Sequence, residues 1–117
     1  MTEYPKEQLD EIKRYCHKLS AFEEGGITFL HMEGLRLPAG CDPQECDALL
    51  CPVPRDNYPS RLYLSVQVAS PCTRNWNTSN ARIGEKNWFA FSWKVELSSP
   101  TLVEILVAHL AGFAREK

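Results

Sequence analysis

The sequence predicts an α+β domain, and three observations carry that expectation. An amphipathic helical stripe opens the chain and another closes it. Between them lies a stretch with period-two alternation, punctuated by proline- and glycine-rich turns. The connections inside that stretch are too short for crossover helices, so its strands are expected to pair antiparallel. A chain of 117 residues supports one layered core and not two, so a single domain over 1–117 is expected.

The opening stripe is Leu9, Ile12, Tyr15, Cys16, Leu19 and Phe22, spaced three or four apart with charged residues between. It predicts a helix over about 5–23, with Pro5 suited to its start and Gly25-Gly26 ending it. Ile27–Leu37 reads as a strand closed by the turn Pro38-Ala39-Gly40, and Cys46–Cys51 as a second strand ending at Pro52 and Pro54. Leu62, Leu64, Val66 and Val68 alternate with Tyr63, Ser65 and Gln67, the pattern of a third strand with one buried face. Residues 27–68 therefore read as a three-stranded meander. Ala69–Lys86, rich in Ser, Thr, Asn, Pro and Arg, reads as a long polar loop of the kind that carries function. In the aromatic segment 87–95, Phe89, Phe91, Trp93 and Val95 would share a core-facing side, with Trp88, Ala90 and Ser92 opposite. The last helix, about 100–115, shows the apolar face Leu102, Ile105, Leu106, His109, Leu110 and Phe113 after a Ser99-Pro100 start, with Glu104 supporting that start behind Thr101.

Composition narrows the function. The hydrophobic fraction of 44% and charged fraction of 24% are those of an ordinary globular chain. A net charge of −2 gives no basic footprint for nucleic acid, and no apolar run reaches the length of a membrane span. The five cysteines Cys16, Cys41, Cys46, Cys51 and Cys72, odd in number and without an apolar signal segment ahead of them, fit reduced thiols and a cytoplasmic location. Cys41, Cys46 and Cys51 recur at wider intervals than the paired knuckle of a structural zinc site.

Pro52-Val53-Pro54-Arg55-Asp56-Asn57-Tyr58-Pro59, set between two strands, resembles the tyrosine-proline loop of ubiquitin-conjugating enzymes. Asn75 follows at about the separation of that family's His-Pro-Asn asparagine. More specifically, several segments in this order resemble the prokaryotic ubiquitin-conjugating-like family E. They are Leu37-Pro38-Ala39-Gly40, Asp56-Asn57-Tyr58-Pro59-Ser60, Asn75-Trp76-Asn77, Ala81-Arg82-Ile83 and Trp88-Phe89-Ala90-Phe91-Ser92-Trp93. The resemblance runs from about residue 27 to the end. It implies a UBC-like fold and a carrier that takes a ubiquitin-like modifier from an activating-enzyme-like protein and passes it to an amine. Neither a cofactor nor a metal is implied in that chemistry.

Two departures shape the site that the resemblance implies. Thr73-Arg74 stands where His-Pro would precede Asn75, and no cysteine follows Cys72. Ser92 is the nucleophile-capable side chain nearest the expected position, so the carried intermediate would be an oxyester, with Asn75 supporting the oxyanion. Tyr58 and Pro59 would shape the loop, and Asn77, Trp88 and Trp93 would support it. Cys72 is the alternative acceptor. A serine needs a base, and His109, Glu85 and Lys86 are the candidates. Each has a plainer role: Ser92 as a small strand residue, His109 as a satisfied helix histidine, the tryptophans as core or interface aromatics. Two further readings stay open. One is a non-catalytic adaptor of the same fold that docks the modifier or the activating enzyme. The other is a small zinc module using Cys41, Cys46, Cys51 and Cys72.

Overall fold

The computed structural model describes residues 4–54, 58–69, 78–90, 95–98 and 100–113, with 78–81 described by their backbone. Helix α1 (Lys6–Ile12) starts at Pro5, whose carbonyl accepts from the backbone N–H of Gln8 and Leu9 at 3.1 Å, and tightens into a 3-10 turn at Lys13–Tyr15. The helix expected over 5–23 ends there. Lys18–Glu24 is instead strand β1, paired antiparallel with β2 (Ile27–Arg36) from Lys18↔Glu33 to Glu24↔Ile27. Leu19 and Phe22, which looked like one helical stripe, lie on opposite faces of the sheet and join different core clusters. Gly25 and Gly26 have φ of 61° and 80°. Both central residues of a two-residue loop at positive φ give the tight turn whose twist matches a hairpin, so the glycines connect strands rather than stop a helix.

The predicted meander is present as β2, β3 (Glu45–Cys51) and β4 (Arg61–Leu64), with β1 as an additional outer strand. The third strand, read through Val68 with one buried face, ends at Leu64 and is buried on both, Tyr63 included, while Val66 is exposed. Gly34, at φ 69°, sits in a register shift of β2 between Met32 and Leu35. Its N–H donates to Asp47 Oδ1 at 3.0 Å, and a Cβ there would run into the His17 ring. The stretch expected as a loop over 69–86 contains strand β5 (Thr78–Ile83), which turns through Gly84 and Glu85 into β6 (Lys86–Ala90). Gly84 at φ 58° and Glu85 at φ 67° make a second turn of the same type. The sheet order is β1-β2-β3-β4-β6-β5.

Alternation along the strands sorts the core into two layers. Leu30, Met32, Ala48, Leu50, Leu62 and Leu64 face helix α1 and helix α2 (Leu102–Leu110), meeting Ile12, Leu102, Ile105, Leu106, Leu110 and Phe113. Phe29, Leu49, Cys51, Tyr63, Ile83, Trp88 and Ala90 form a second cluster on the other face. Every residue of β4 is consequently buried. The aromatic segment differs from expectation in the same way. Trp88 and Ala90, placed opposite the core by the sequence, are 3% and 1% exposed, whereas Phe89, paired with Leu64, is half-buried. Phe91, Ser92 and Trp93 lie outside the described residues.

The sheet curls to protect this second face. The hairpin tips of its opposite edges meet where the Gly84 N–H donates to Glu24 Oε1 at 3.0 Å, with the Phe22 ring against Gly84. On the helical face, Gln8 Oε1 accepts from the Leu102 N–H at 2.9 Å and fastens α1 to the start of α2. The expected cap at Ser99-Pro100 moves to Thr101. Its Oγ1 accepts from the Glu104 N–H (3.4 Å) while Glu104 Oε1 accepts from the Thr101 N–H (2.7 Å). α2 ends in a 3-10 turn at Ala111–Phe113.

Because nothing lies within 4 Å of a Cβ built at Gly26, replacing it tests backbone conformation alone. Gly26→Ala is expected to lower stability by about 1–2 kcal/mol and Gly26→Asn by clearly less, read as urea midpoints at unchanged m-value.

Candidate functional site

The connection between β3 and β4, residues 52–60, carries the tyrosine-proline loop. Its second half is fixed from two sides. Ser60 Oγ and His109 Nε2 are hydrogen-bonded at 2.8 Å, and both residues are buried. The Arg61 guanidinium lies 4.1 Å from the centre of the Tyr58 ring and 5.7 Å from that of Tyr63, distances at which cation–π attraction operates. Arg61 is itself 3% exposed. The corner Tyr58-Pro59-Ser60 is thus tied at its serine to α2 and at its tyrosine to the first residue of β4. Pro52, Pro59, Ser60, Val95, Leu97, Pro100 and Ile105 line a small cavity of about 130 Å³ beside it.

His109 was a candidate base, and the structure shows what its ring does. It sits on the buried face of α2 with Nε2 engaged by Ser60. Burial, reinforced by the nearby Arg61 charge, pushes its pKa down to about 4. The imidazole is therefore neutral at neutral pH, and with so low a pKa it is a weak base. Ser60, its partner, is a residue that sequence reasoning missed as a contact. The available signal was the position of His109 on an apolar stripe, which demanded a buried partner without saying which one.

Of the other candidates, Tyr58 and Pro59 occupy the corner just described. Trp88 belongs to the second core cluster, where its Nε1–H donates to the Ile83 carbonyl at 3.0 Å. Glu85 is a turn residue between β5 and β6, and Lys86 begins β6 with an exposed side chain. Ser92, Asn75, Cys72, Asn77 and Trp93 lie outside the described residues. Cys16, Cys41 and Cys46 are not poised as nucleophiles, and Cys51 is buried with its Sγ donating to the Val53 carbonyl at 3.4 Å. Burial raises the pKa of Cys16 and Cys41, and pushes Cys46 up to about 11. Cys46 and Cys51 are five residues apart on β3 and face opposite sides of the sheet, so the cysteine set considered for zinc is not gathered at one point. Among the described residues no group of three or more His, Cys, Asp or Glu side chains could hold a metal ion. Also among them, no helix is long and apolar enough to cross a membrane.

No protein-family model, curated protein or solved structure matches this chain.

The depressed His109 pKa links protonation to stability. Below its unfolded value of 6.5 the unfolded chain takes up a proton that the folded chain refuses until about pH 4. Folding free energy is therefore lost as pH falls across that window and held above it. The difference is on the order of 3 kcal/mol for a group shifted this far. Urea titrations from pH 7 to 4 should show this loss in wild type, and His109→Gln should be flatter over the same range.

Proposed function

We propose that this chain is a ubiquitin-conjugating-like carrier that accepts a ubiquitin-like modifier from an activating enzyme and hands it to an amine. The observation that carries the reading is the place of Tyr58-Pro59. It lies between the third and fourth strands of an antiparallel meander that follows an N-terminal helix and precedes a C-terminal one. This is the order in which the resemblance sets a tyrosine-proline loop beside an acceptor. Fixing that loop against α2 through Ser60 and His109 suits a corner that must hold its shape while two proteins dock in turn.

In this reading Ser92 Oγ attacks the modifier's activated C-terminal carbonyl. The activating enzyme's thiol leaves, an oxyester forms and the serine proton passes to a base. Asn75 donates to the oxyanion formed on the way. An amine then attacks the ester carbonyl and the serine hydroxyl is restored. The neutral, Ser60-bound His109 is a poor choice for the base, which leaves that role to another group.

The second reading is a non-catalytic adaptor. It is favoured by the absence of any cysteine after Cys72 and by the raised pKa values of Cys16, Cys41 and Cys46.

Intact mass after incubation with the cognate activating enzyme, ATP and modifier decides between them. The expected result is an adduct that survives thiol, is released by hydroxide and disappears in Ser92→Ala but not in Cys72→Ala. An adduct lost in Cys72→Ala would move the acceptor to that thiol. A charged activating enzyme with no adduct on this chain would leave the adaptor.

A further inference from the structure

β1 stands at one end of the sheet order, paired with β2 on one side and with no described strand on the other. The hairpin decides which of its backbone groups are already paired. Glu24 and Ile27 flank the two-residue loop Gly25-Gly26, so they form a hydrogen-bonded pair. Alternation then turns the N–H and C=O groups of Ser20 and Phe22 toward β2, and those of Leu19 and Ala21 outward. The ladder runs from Lys18 to Glu24 without a register shift, so the outward groups stand in a regular row.

Exposed edges are normally blunted by proline, by a bulge or by charge. The segment Leu19-Ser20-Ala21-Phe22 contains none of these, and Ser20 and Ala21 are exposed. Charge is confined to the ends of the strand, with Lys18 before this segment and Glu23-Glu24 after it. The Lys18 ammonium is exposed and 3.9 Å from Glu33 Oε2, a surface pair that costs little to exchange. A second copy laid antiparallel along this edge sets the basic end of each strand beside the acidic end of the other. A parallel copy would set like charges together.

We propose that two copies of this chain pair through β1 about a two-fold axis, joining their sheets into one and forming a weak dimer. Leu19 lies opposite the partner's Ala21, and Ser20 faces the partner's Ser20 across the axis. The Leu19 and Ala21 N–H groups of each chain donate to the carbonyls of the partner's Ala21 and the partner's Leu19. In this register Leu19 meets an apolar side chain, and Lys18 is diagonal to the partner's Glu24. A register centred on Ala21 would instead set Leu19 against the partner's Glu23. It would also extend the pairing to Glu24, whose carboxylate already holds the β5–β6 tip. So short a contact buries less than the roughly 1,000 Å² of a lasting interface, so the dimer is transient. Its formation does not depend on the transfer chemistry proposed above.

The test is sedimentation equilibrium of the full chain from about 10 μM to about 1 mM, with a dimer Kd expected on the order of 0.3 mM. Ala21→Pro removes an outward donor and leaves the ladder with β2 intact. It is expected to weaken the dimer at least about tenfold, because each dimer loses two donors. Lys18→Glu should weaken it about threefold. In a mixture of ¹³C-labelled and unlabelled chains, a filtered NOE should join the Ser20 α-protons across the axis, as in a pair that is close but not hydrogen-bonded. A chain still monomeric at about 1 mM would overturn the proposal and leave this edge to a strand of another protein. A dimer indifferent to Ala21→Pro, or an intermolecular NOE centred elsewhere, would overturn it too. Should Ala21→Pro fail to fold, the NOE decides alone.

Discussion

The rest of the structure depends on one constraint: a short chain must bury both faces of a single antiparallel sheet. Two short helices suffice for one face, where Ile12, Ile105, Leu106 and Phe113 meet the leucines of the central strands. Among the described residues no third helix covers the other. The sheet closes over that face itself, bringing the β1–β2 and β5–β6 hairpin tips together at Gly84, Glu24 and Phe22. Curling of this kind needs tight turns with the right hand of twist, which explains positive φ at both central residues of each tip. It also explains why β4, in the middle of the order, exposes nothing on either side.

That arrangement separates two regions with different chemistry. On the helical side, the Ser60–His109 hydrogen bond binds the end of the β3–β4 connection to α2. The corner is then positioned by buried groups and not by its own polar sequence. A buried pair of this kind is specific because each partner would be left unsatisfied by any shift of register. On the opposite side, closure is incomplete near the tips, and His31 is left lining a cavity with one nitrogen unpartnered. The first region holds the corner on which the proposed function rests, and the second lies on the other face of the sheet.

Much of this was legible in the residues. The α+β class, the β2–β4 meander and the second helix follow from periodicities of 2 and 3.6 that survive tertiary packing. The helical reading of Leu19 and Phe22 failed because a spacing of three residues serves one face of a helix and also the two faces of an edge strand, where each residue packs against a different core cluster. The paired ladder with β2, running over the whole of β1, outweighs local propensity. Gly25-Gly26 carried the hairpin signal that would have corrected it. β5 was hidden by its polar composition, Thr78-Ser79-Asn80, which does not alternate. Trp88 and Ala90 were assigned to the wrong side because a sheet buried on both faces has no single core face to infer. The tyrosine-proline corner was legible by resemblance. The partnership of Ser60 with His109 was not, because it joins residues 49 apart in the chain and only the fold brings them together.

The most direct test of the closed sheet is the NOE spectrum between the Phe22 ring and the Gly84 α-protons, residues separated by four intervening strands' worth of pairing but placed in contact by the curl. Closure predicts strong cross-peaks there, together with slow exchange of the Gly84 amide that donates to Glu24. Their absence, with β1–β2 and β5–β6 hairpin NOEs intact, would mean an open sheet and would contradict the burial of its second face.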